Sequence, residues 1–309
     1  MQPFGCLETS AKRGDMKVVL TGGTGFLGSH LLTDLLMSGH DVIVVKRTNS
    51  KINRIATCLD QIDLIDVDQL SQLQLVSALD GVDAIIHTAT NYGRSGESPS
   101  QVFDANTAFP LRLLDAGVAN FVPLFINTDT VLDKYLNLYS LSKNQFLQWG
   151  TFFSRQRKLR FINLKLEHFF GAFDDKTKFT EFVFKSCYEN IPSIALTPGD
   201  QQRDFIYIDD VVSAYRSVLN AQSDNQAMFE EFEIGSGCPV SIRDFVALVH
   251  QGFASESKLD FGAIPYRDGE IMNSKADTSK LNALGWSCRH SLQSGVSEVI
   301  KQYQRLEIK

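Results

Sequence analysis

The chain has no C-x-x-C pair. Its five cysteines, Cys6, Cys58, Cys187, Cys238 and Cys288, are scattered over 309 residues. That scatter argues against a zinc site or a disulfide framework and fits reduced thiols in a cytoplasm, so no metal is expected. Basic residues are not in excess: 30 Lys and Arg stand against 36 Asp and Glu, for a net charge of −6, which argues against nucleic acid as a partner. No apolar run approaches the roughly 20 residues that span a bilayer, so no membrane partner is expected. The first 15 residues, with Glu8, Lys12, Arg13 and Asp15, lack the apolar core of a secretory signal. Residues 1–15 are read as a disordered leader, with the fold starting near Met16. There is no internal repeat and no linker between two contiguous domains. With 43% hydrophobic residues, the chain can bury a full core.

What is present is organised around Lys17–Leu32. A β-branched run, Val18-Val19-Leu20, ends in a turn with Gly22, Gly25 and Gly28, and an apolar helical pattern (Phe26, Leu27, Leu31, Leu32, Leu35, Leu36) follows. Strand, tight turn and helix together aim free backbone N–H groups and a helix N-terminus at a diphosphate. Gly22 permits the turn, Gly25 lets backbone approach the phosphates, and Gly28 lets helix pack on strand. Gly22, Gly25, Phe26 and Leu27 are therefore candidate dinucleotide-binding residues.

After this helix, Asp41–Val45 reads as a second strand, followed by Lys46-Arg47-Thr48-Asn49-Ser50. An acidic residue there suits the ribose hydroxyls of NAD, and a basic one the 2′-phosphate of NADP. Lys46 and Arg47, with Lys51 and Arg54 close behind and no carboxylate in the stretch, point to NADPH/NADP+; the plain alternative is a solvated basic loop. A third strand, Ile62–Val67, ends at Asp66, placed to accept from the adenine amino group with Val67 beside it; Asp63 is a less favoured substitute. A fourth strand, Val82–Thr90, runs into small residues, Thr88 and Ala89, where the cofactor must be approached. His87 reads as a packed strand-end residue rather than a catalyst. The loop Asn91-Tyr92-Gly93-Arg94-Ser95-Gly96 forms a candidate active-site lip, with Asn91, Tyr92 and Arg94 as candidate substrate contacts.

Val102–Gly117 is helical by pattern despite Pro110, with Asn106 on its inner side, and Phe121–Ile126 is a fifth strand ending at Asn127-Thr128-Asp129-Thr130. Tyr139-Ser-Leu-Ser-Lys143 opens the next helix. Strands and helices alternate as in a doubly wound parallel sheet. In the second half, strands are expected at Arg160–Lys165, Asp204–Ile208 and Met228–Ile234, and helices at Phe179–Tyr188, Ser241–Gln251 and Gln293–Leu306. The expected architecture is a Rossmann-type sheet over 16–165, with segments of about 204–235 returning to it. A smaller C-terminal α/β substrate lobe is built from 166–203 and 236–309.

Tyr139 and Lys143 share a helix face at i and i+4. A neighbouring cation lowers the phenol pKa from its ordinary value near 10 and makes it a usable acid or base. Thr128, at the end of strand five, can supply a hydroxyl to the reacting carbonyl. Thr128, Tyr139 and Lys143 are the candidate catalytic residues; the spacing alone also fits an ordinary helix-surface pair.

From about Met16 to Tyr303 the chain resembles the extended short-chain dehydrogenase/reductases, the nucleotide-sugar epimerases and dehydratases. The resemblance rests on T-G-G-T-G-F-L-G and Y-x-x-x-K, on Gln202–Val211, on Arg267–Glu270 and on Leu284-Gly285-Trp286. It implies that Arg203 and Arg267 clamp a sugar-nucleotide diphosphate, a task suited to bidentate guanidinium groups. It also implies a homodimer through helices near 103–117 and 139–154. Lys46-Arg47, His87–Arg94, Asn127–Thr130, Tyr139–Lys143 and Asn163–His168 are similar in wording to the CDP-abequose and CDP-paratose synthases. Those are NADPH-dependent 4-ketoreductases of deoxysugar biosynthesis for surface polysaccharide.

Departures from the pattern sharpen what the resemblance implies. Two positions after the active-site Ser or Thr, the family carries a Glu or Cys base when a proton must leave a sugar carbon; here that position is Thr130, a candidate substrate contact. Dehydration is thereby disfavoured, and simple ketone reduction needs no base there. Asp129 keeps the dehydratases' acid position and is expected only to contact substrate. His168 stands for the usual Asn and is expected either to contact substrate or to pack. The rivals are an NAD-dependent 4-epimerase using the same three residues, which Lys46-Arg47 counts against, and a non-catalytic binding protein.

Overall fold

In a computed structural model, residues 16–221 and 227–305 are described. The proposed leader, and the end of the last helix at Leu306, lie outside them. The central sheet contains β1 (Lys17–Thr21), β2 (Asp41–Lys46), β3 (Ile62–Asp66), β4 (Ala84–His87), β5 (Leu124–Thr130), β6 (Arg160–Leu166) and, much later in the chain, β11 (Phe229–Ile234). Its order is β11-β6-β5-β4-β1-β2-β3, and every neighbouring pair is parallel. The order reverses between β1 and β4, so the connections leave in opposite directions there and open a crevice at the strands' carboxyl ends.

The helices α1 (Phe26–Met37), α2 (Gln72–Ala78), α3 (Pro99–Phe103), α4 (Phe109–Ala119) and α5 (Leu138–Arg155), with a 3-10 helix over Asn53–Gln61 between β2 and β3, connect the first six strands. Sheet residues alternate between two cores. Val18, Leu20, Ile86 and Ile126 meet Leu31, Leu32 and Leu35 of α1, whereas Val19, Ile85 and Phe125 meet Leu75 of α2, Leu113 of α4 and Phe146 of α5. Strands buried on both faces need the near-continuous apolar runs that this sequence supplies.

The remaining elements are β7 (His168–Phe170), α6 (Phe179–Tyr188), β8 (Ser193–Leu196), β9 (Gln202–Arg203), β10 (Phe205–Tyr207), α7 (Ile208–Asn220), β12 (Val240–Ser241), α8 (Ile242–Gly252), β13 (Lys258–Phe261), α9 (Ser279–Ala283) and α10 (Leu292–Gln304). Three two-stranded sheets, β10-β7, β12-β9 and β13-β8, lie beside the main one. The segment beginning at Asp204 was expected to return to the main sheet. Instead β10 pairs with β7, and only β11 rejoins, beside β6.

The helix expected over 102–117 is interrupted. Residues Asp104–Ala108 form a π-turn between α3 and α4, with Pro110 in the first turn of α4. Proline has no N–H to donate four residues back, and the wider turn accommodates the missing bond. The turn also points Asn106 inward, where it is wholly buried.

Candidate active site

The glycine turn is built as a cradle. Gly22 has φ of +71°, and a Cβ there would lie 2.6 Å from Ala89 N and from Thr88 Oγ1. A Cβ on Gly28 would lie 2.0 Å from the Gly22 carbonyl. Gly25 is the N-cap of α1 and exposed, with only that carbonyl, at 3.2 Å, near its would-be Cβ. Two glycines thus serve tight packing, and the third leaves the helix N-terminus open to an anion. Phe26 and Leu27 are buried behind it, and Thr88 Oγ1 donates to the Thr21 carbonyl at 2.8 Å, holding β4's exit against β1.

At the adenosine end the structure revises two expectations. Lys46 and Asp66 are register partners on β2 and β3 and form an ion pair with each other. The ammonium expected to meet a 2′-phosphate and the carboxylate expected to meet adenine therefore occupy one another. Arg54 donates to the Phe173 carbonyl, over the Phe26 ring. Arg47 remains exposed at the strand end, and Val67 is buried. A carboxylate does reach this loop: Asp68, twenty residues on, accepts from Thr48 N at 2.9 Å.

A polar row crosses the sheet beneath the catalytic candidates. Thr21, His87, Asn127, Asn163 and Glu231 are successive register partners on β1, β4, β5, β6 and β11. His87 is wholly buried, with Nδ1 2.8 Å from Thr21 Oγ1 and the rings of Phe109, Phe125 and Phe146 around it. Burial first, then the Lys143 ammonium, push its pKa well down, so it is a neutral packed residue. Asn163 Nδ2 donates to Asp129 Oδ2 at 3.0 Å, and Lys134 Nζ lies 2.9 Å from the same oxygen. The Asp129 side chain is 0% exposed. It was expected to contact substrate, and it faces inward because three donors satisfy it there, the third being Thr130 N at 2.8 Å from Oδ1.

Asn137 caps α5 with a reciprocal capping box and so places Tyr139 and Lys143 in its first turns. Lys143 Nζ is buried without a hydrogen-bond partner among the described residues. Burial lowers its pKa to about 8, against the pull of Asp129. A buried, unpartnered ammonium is costly and marks a place where a bound group completes the bonding. A ribose diol answers that need, so Lys143 and the glycine cradle together fit a nicotinamide dinucleotide.

Tyr139 differs from expectation. Its phenol pKa is pushed well above the ordinary 10, first by burial, then by Tyr92 and Asp129, with a Thr130 hydrogen bond and Arg94 acting the other way. Desolvation, rather than a neighbouring cation, sets the direction of the shift. Thr130, a candidate substrate contact, is close enough to the phenol to hold its pKa down in part, and its Oγ1 accepts from Leu132 N at 3.3 Å. Thr128 Oγ1 instead lies 2.6 Å from the hydroxyl of Tyr215, on α7.

The lip closes over this centre. Asn91 is held by Asn106, whose Oδ1 accepts from Asn91 N at 2.7 Å and whose Nδ2 donates to Asn91 O at 2.8 Å. The Tyr92 and Tyr139 rings are 5.1 Å apart, and the Arg94 guanidinium sits 4.8 Å from the Tyr92 ring centre. Lys178 lies 3.8 Å from the Phe169 ring centre and 5.7 Å from that of Tyr92, while paired with Asp174. Sequence reading missed Lys178 and Tyr215, since neither stands in a motif it weighed.

Further along the crevice, Arg203 forms an ion pair with Glu270, and Arg267 is exposed in the same loop. The structure thus places Arg203 at a built anion partner and leaves Arg267 outward. His168 is half-buried, its Nδ1 3.3 Å from Glu167, whose other oxygen accepts from Ser274 at 2.7 Å. Among the described residues, no group of three or more His, Cys, Asp or Glu side chains could hold a metal ion, and no helix is long and apolar enough to cross a membrane.

Comparison with known proteins agrees with this geometry. Residues 18–235 match the NAD dependent epimerase/dehydratase family. The chain is 34% identical over 291 residues to a CDP-abequose synthase of Salmonella muenchen, covering 92% of this chain and 97% of that one. It is 33% identical over 299 residues to a CDP-abequose synthase of Salmonella typhimurium, with the same coverage. The crystal structure of UDP-glucose 4-epimerase with UDP-glucose from Thermotoga maritima superimposes with a TM-score of 0.82 at 21% identity, covering 95% of this chain and all of that one.

Proposed function

The chain belongs to the NAD-dependent epimerase/dehydratase family, and from that premise we propose that it reduces the C4 ketone of a nucleotide-linked 4-keto-6-deoxy or 3,6-dideoxy hexose. It is a nucleotide-sugar-modifying, NAD(P)-dependent enzyme with a Rossmann-type fold. The proposed substrate is CDP-linked, because the relatives at 33–34% identity are CDP-abequose synthases. We place the enzyme in deoxysugar biosynthesis for surface polysaccharide, as a cytoplasmic homodimer.

The observation that carries ketone reduction is the setting of Tyr139. Its phenol is held protonated, and the residue beside it is the Thr130 hydroxyl rather than a carboxylate or thiol. Removing a proton from a sugar carbon requires a base at this point, whereas finishing a reduction requires an acid. Asp129, the nearest carboxylate on the strand, is tied to Lys134 and Asn163.

When bound, the reduced nicotinamide supplies the hydride that C4 receives. Gly22, Gly25, Phe26 and Leu27 would hold the dinucleotide's diphosphate, Thr88 and Ala89 would border it, and Lys143 would hold its ribose. Thr128 would hydrogen-bond the C4 oxygen, and Tyr139 would deliver the proton to that oxygen as charge develops. The Lys143 ammonium stabilises the phenolate left behind. Asn91, Tyr92 and Arg94 would close on the sugar with His168, and Arg203 and Arg267 would take the diphosphate once Glu270 yields.

NADPH is the proposed cofactor, with the exposed Arg47 as the cation for its 2′-phosphate, since Lys46 is paired with Asp66. Replacing Arg47 by Ala should lower kcat/KM for NADPH by about tenfold to a hundredfold, the worth of one charged hydrogen bond, and leave NADH unchanged. Asp68 beside Thr48 favours the second reading, a 4-epimerase that retains NAD+. The deciding experiment is NADPH oxidation with a panel of freshly made 4-keto sugar nucleotides. Turnover on a CDP-linked member supports the reductase. Release of NAD+ on denaturation, together with interconversion of two sugar nucleotides without added NADPH, overturns it.

A further inference from the structure

We infer that Tyr215 is a positioning residue for the reaction: its phenol donates to Thr128 Oγ1 and thereby turns the Thr128 proton toward the substrate oxygen. The inference rests on the catalytic reading of Thr128 given above. Tyr215 lies on α7, on the α1 side of the sheet, and is 1% exposed. Its ring belongs to an apolar core with Leu31, Ile86 and Leu219. Phenylalanine would satisfy that packing, so the hydroxyl is there for a polar contact. Among the described residues, its hydrogen bond is the 2.6 Å contact with Thr128 Oγ1, which is also the bond of that threonine hydroxyl.

The direction of the bond follows from burial. If Thr128 donated, the phenol proton would be left without an acceptor among the described residues, since the Tyr215 hydroxyl makes no second hydrogen bond there. If Tyr215 donates, both groups are satisfied, because Thr128 is only half-buried and its own proton can reach the crevice. Burial pushes the Tyr215 pKa upward, so the phenol keeps its proton throughout the working range. A threonine hydroxyl rotates freely unless an acceptor bond fixes it. Here the fixed bond comes from beneath the sheet, and the proton is presented before the ketone arrives, which is the arrangement that favours a developing alkoxide.

The test is a double-mutant cycle of Tyr215→Phe and Thr128→Ala, assayed on the turnover that wild type displays, whether reduction or epimerisation. Tyr215→Phe should lower kcat about tenfold, about 1.4 kcal/mol in barrier. KM for nucleotide sugar should stay within about twofold and the melting temperature within a few degrees, because the ring still fills its site. In the Thr128→Ala background, Tyr215→Phe should have no further effect. A Tyr215→Phe enzyme at wild-type kcat overturns the inference, as does an undiminished effect in the Thr128→Ala background. A Thr128→Ala enzyme at wild-type kcat overturns the catalytic reading of Thr128 and this inference with it. A wild type that epimerises overturns only the reductase reading, and the cycle then decides the role of Tyr215 on that turnover.

Discussion

Two residues of the site carry opposed costs that pH separates. Burial lowers Lys143 to about 8, while the unfolded chain binds that proton up to roughly pH 10.4. Between those values the unfolded state holds more protons than the folded state, so stability from this residue rises with pH across the window. Below pH 8 its buried charge is a penalty on the order of 1–3 kcal/mol. Lys143→Met should therefore be more stable than wild type in urea at pH 7 by about that amount, with the difference gone near pH 10.5, and it should be nearly inactive. Equal midpoints at pH 7 would mean that the ammonium is already satisfied. For Tyr139→Phe, loss of the proton donor should reduce kcat by about a hundredfold to ten-thousandfold at unchanged fold, measured by turnover beside circular dichroism. Tyr139 and Lys143 were legible because i and i+4 on a helix is a local fact. The groups that set their protonation, Thr130 and Asp129 among them, depend on how β5 ends against α5.

Among the elements, the β1–α1 turn and the π-turn are the parts on which the site depends. Gly28 packs against the Gly22 carbonyl so closely that a methyl group must displace one of them. Gly28→Ala should abolish cofactor retention and lower the melting temperature, whereas Gly25→Ala, with a looser contact, should mainly weaken cofactor binding; thermal melts with and without dinucleotide distinguish them. Asn106 bonds Asn91 twice and also donates to Ser142 Oγ at 2.9 Å. Replacing it by Ala leaves several buried polar groups unpaired and should cost about 2–4 kcal/mol, with faster hydrogen exchange over residues 90–96. The interruption at Asp104–Ala108 was not legible as such, although Pro110 was its visible cause: a proline says that a helical bond is lost, not how the neighbouring turns absorb the loss.

At the scale of the whole molecule, an exposed apolar stripe remains on the α3–α5 side. Phe103 is 44% exposed, Leu138 41%, Trp149 43% and Phe152 50%, on the helices proposed to pair in a homodimer. A stripe of this kind is best covered by a second copy of itself. Changing Trp149 and Phe152 together to Glu should convert a dimer to a monomer in sedimentation; a wild type that sediments as a monomer at micromolar concentration removes the proposal. The sequence by itself determined the parallel sheet, the glycine cradle and the Tyr139–Lys143 pair, because each is written in residues close together, by periodicity, turn chemistry or helical spacing. Only the tertiary structure decided that Lys46 answers Asp66, that Arg203 answers Glu270, that Asp129 faces inward and that Tyr215 reaches Thr128. Those pairings join residues from distant turns or strands, and strand register and helix packing, which no local pattern encodes, set which side chains meet.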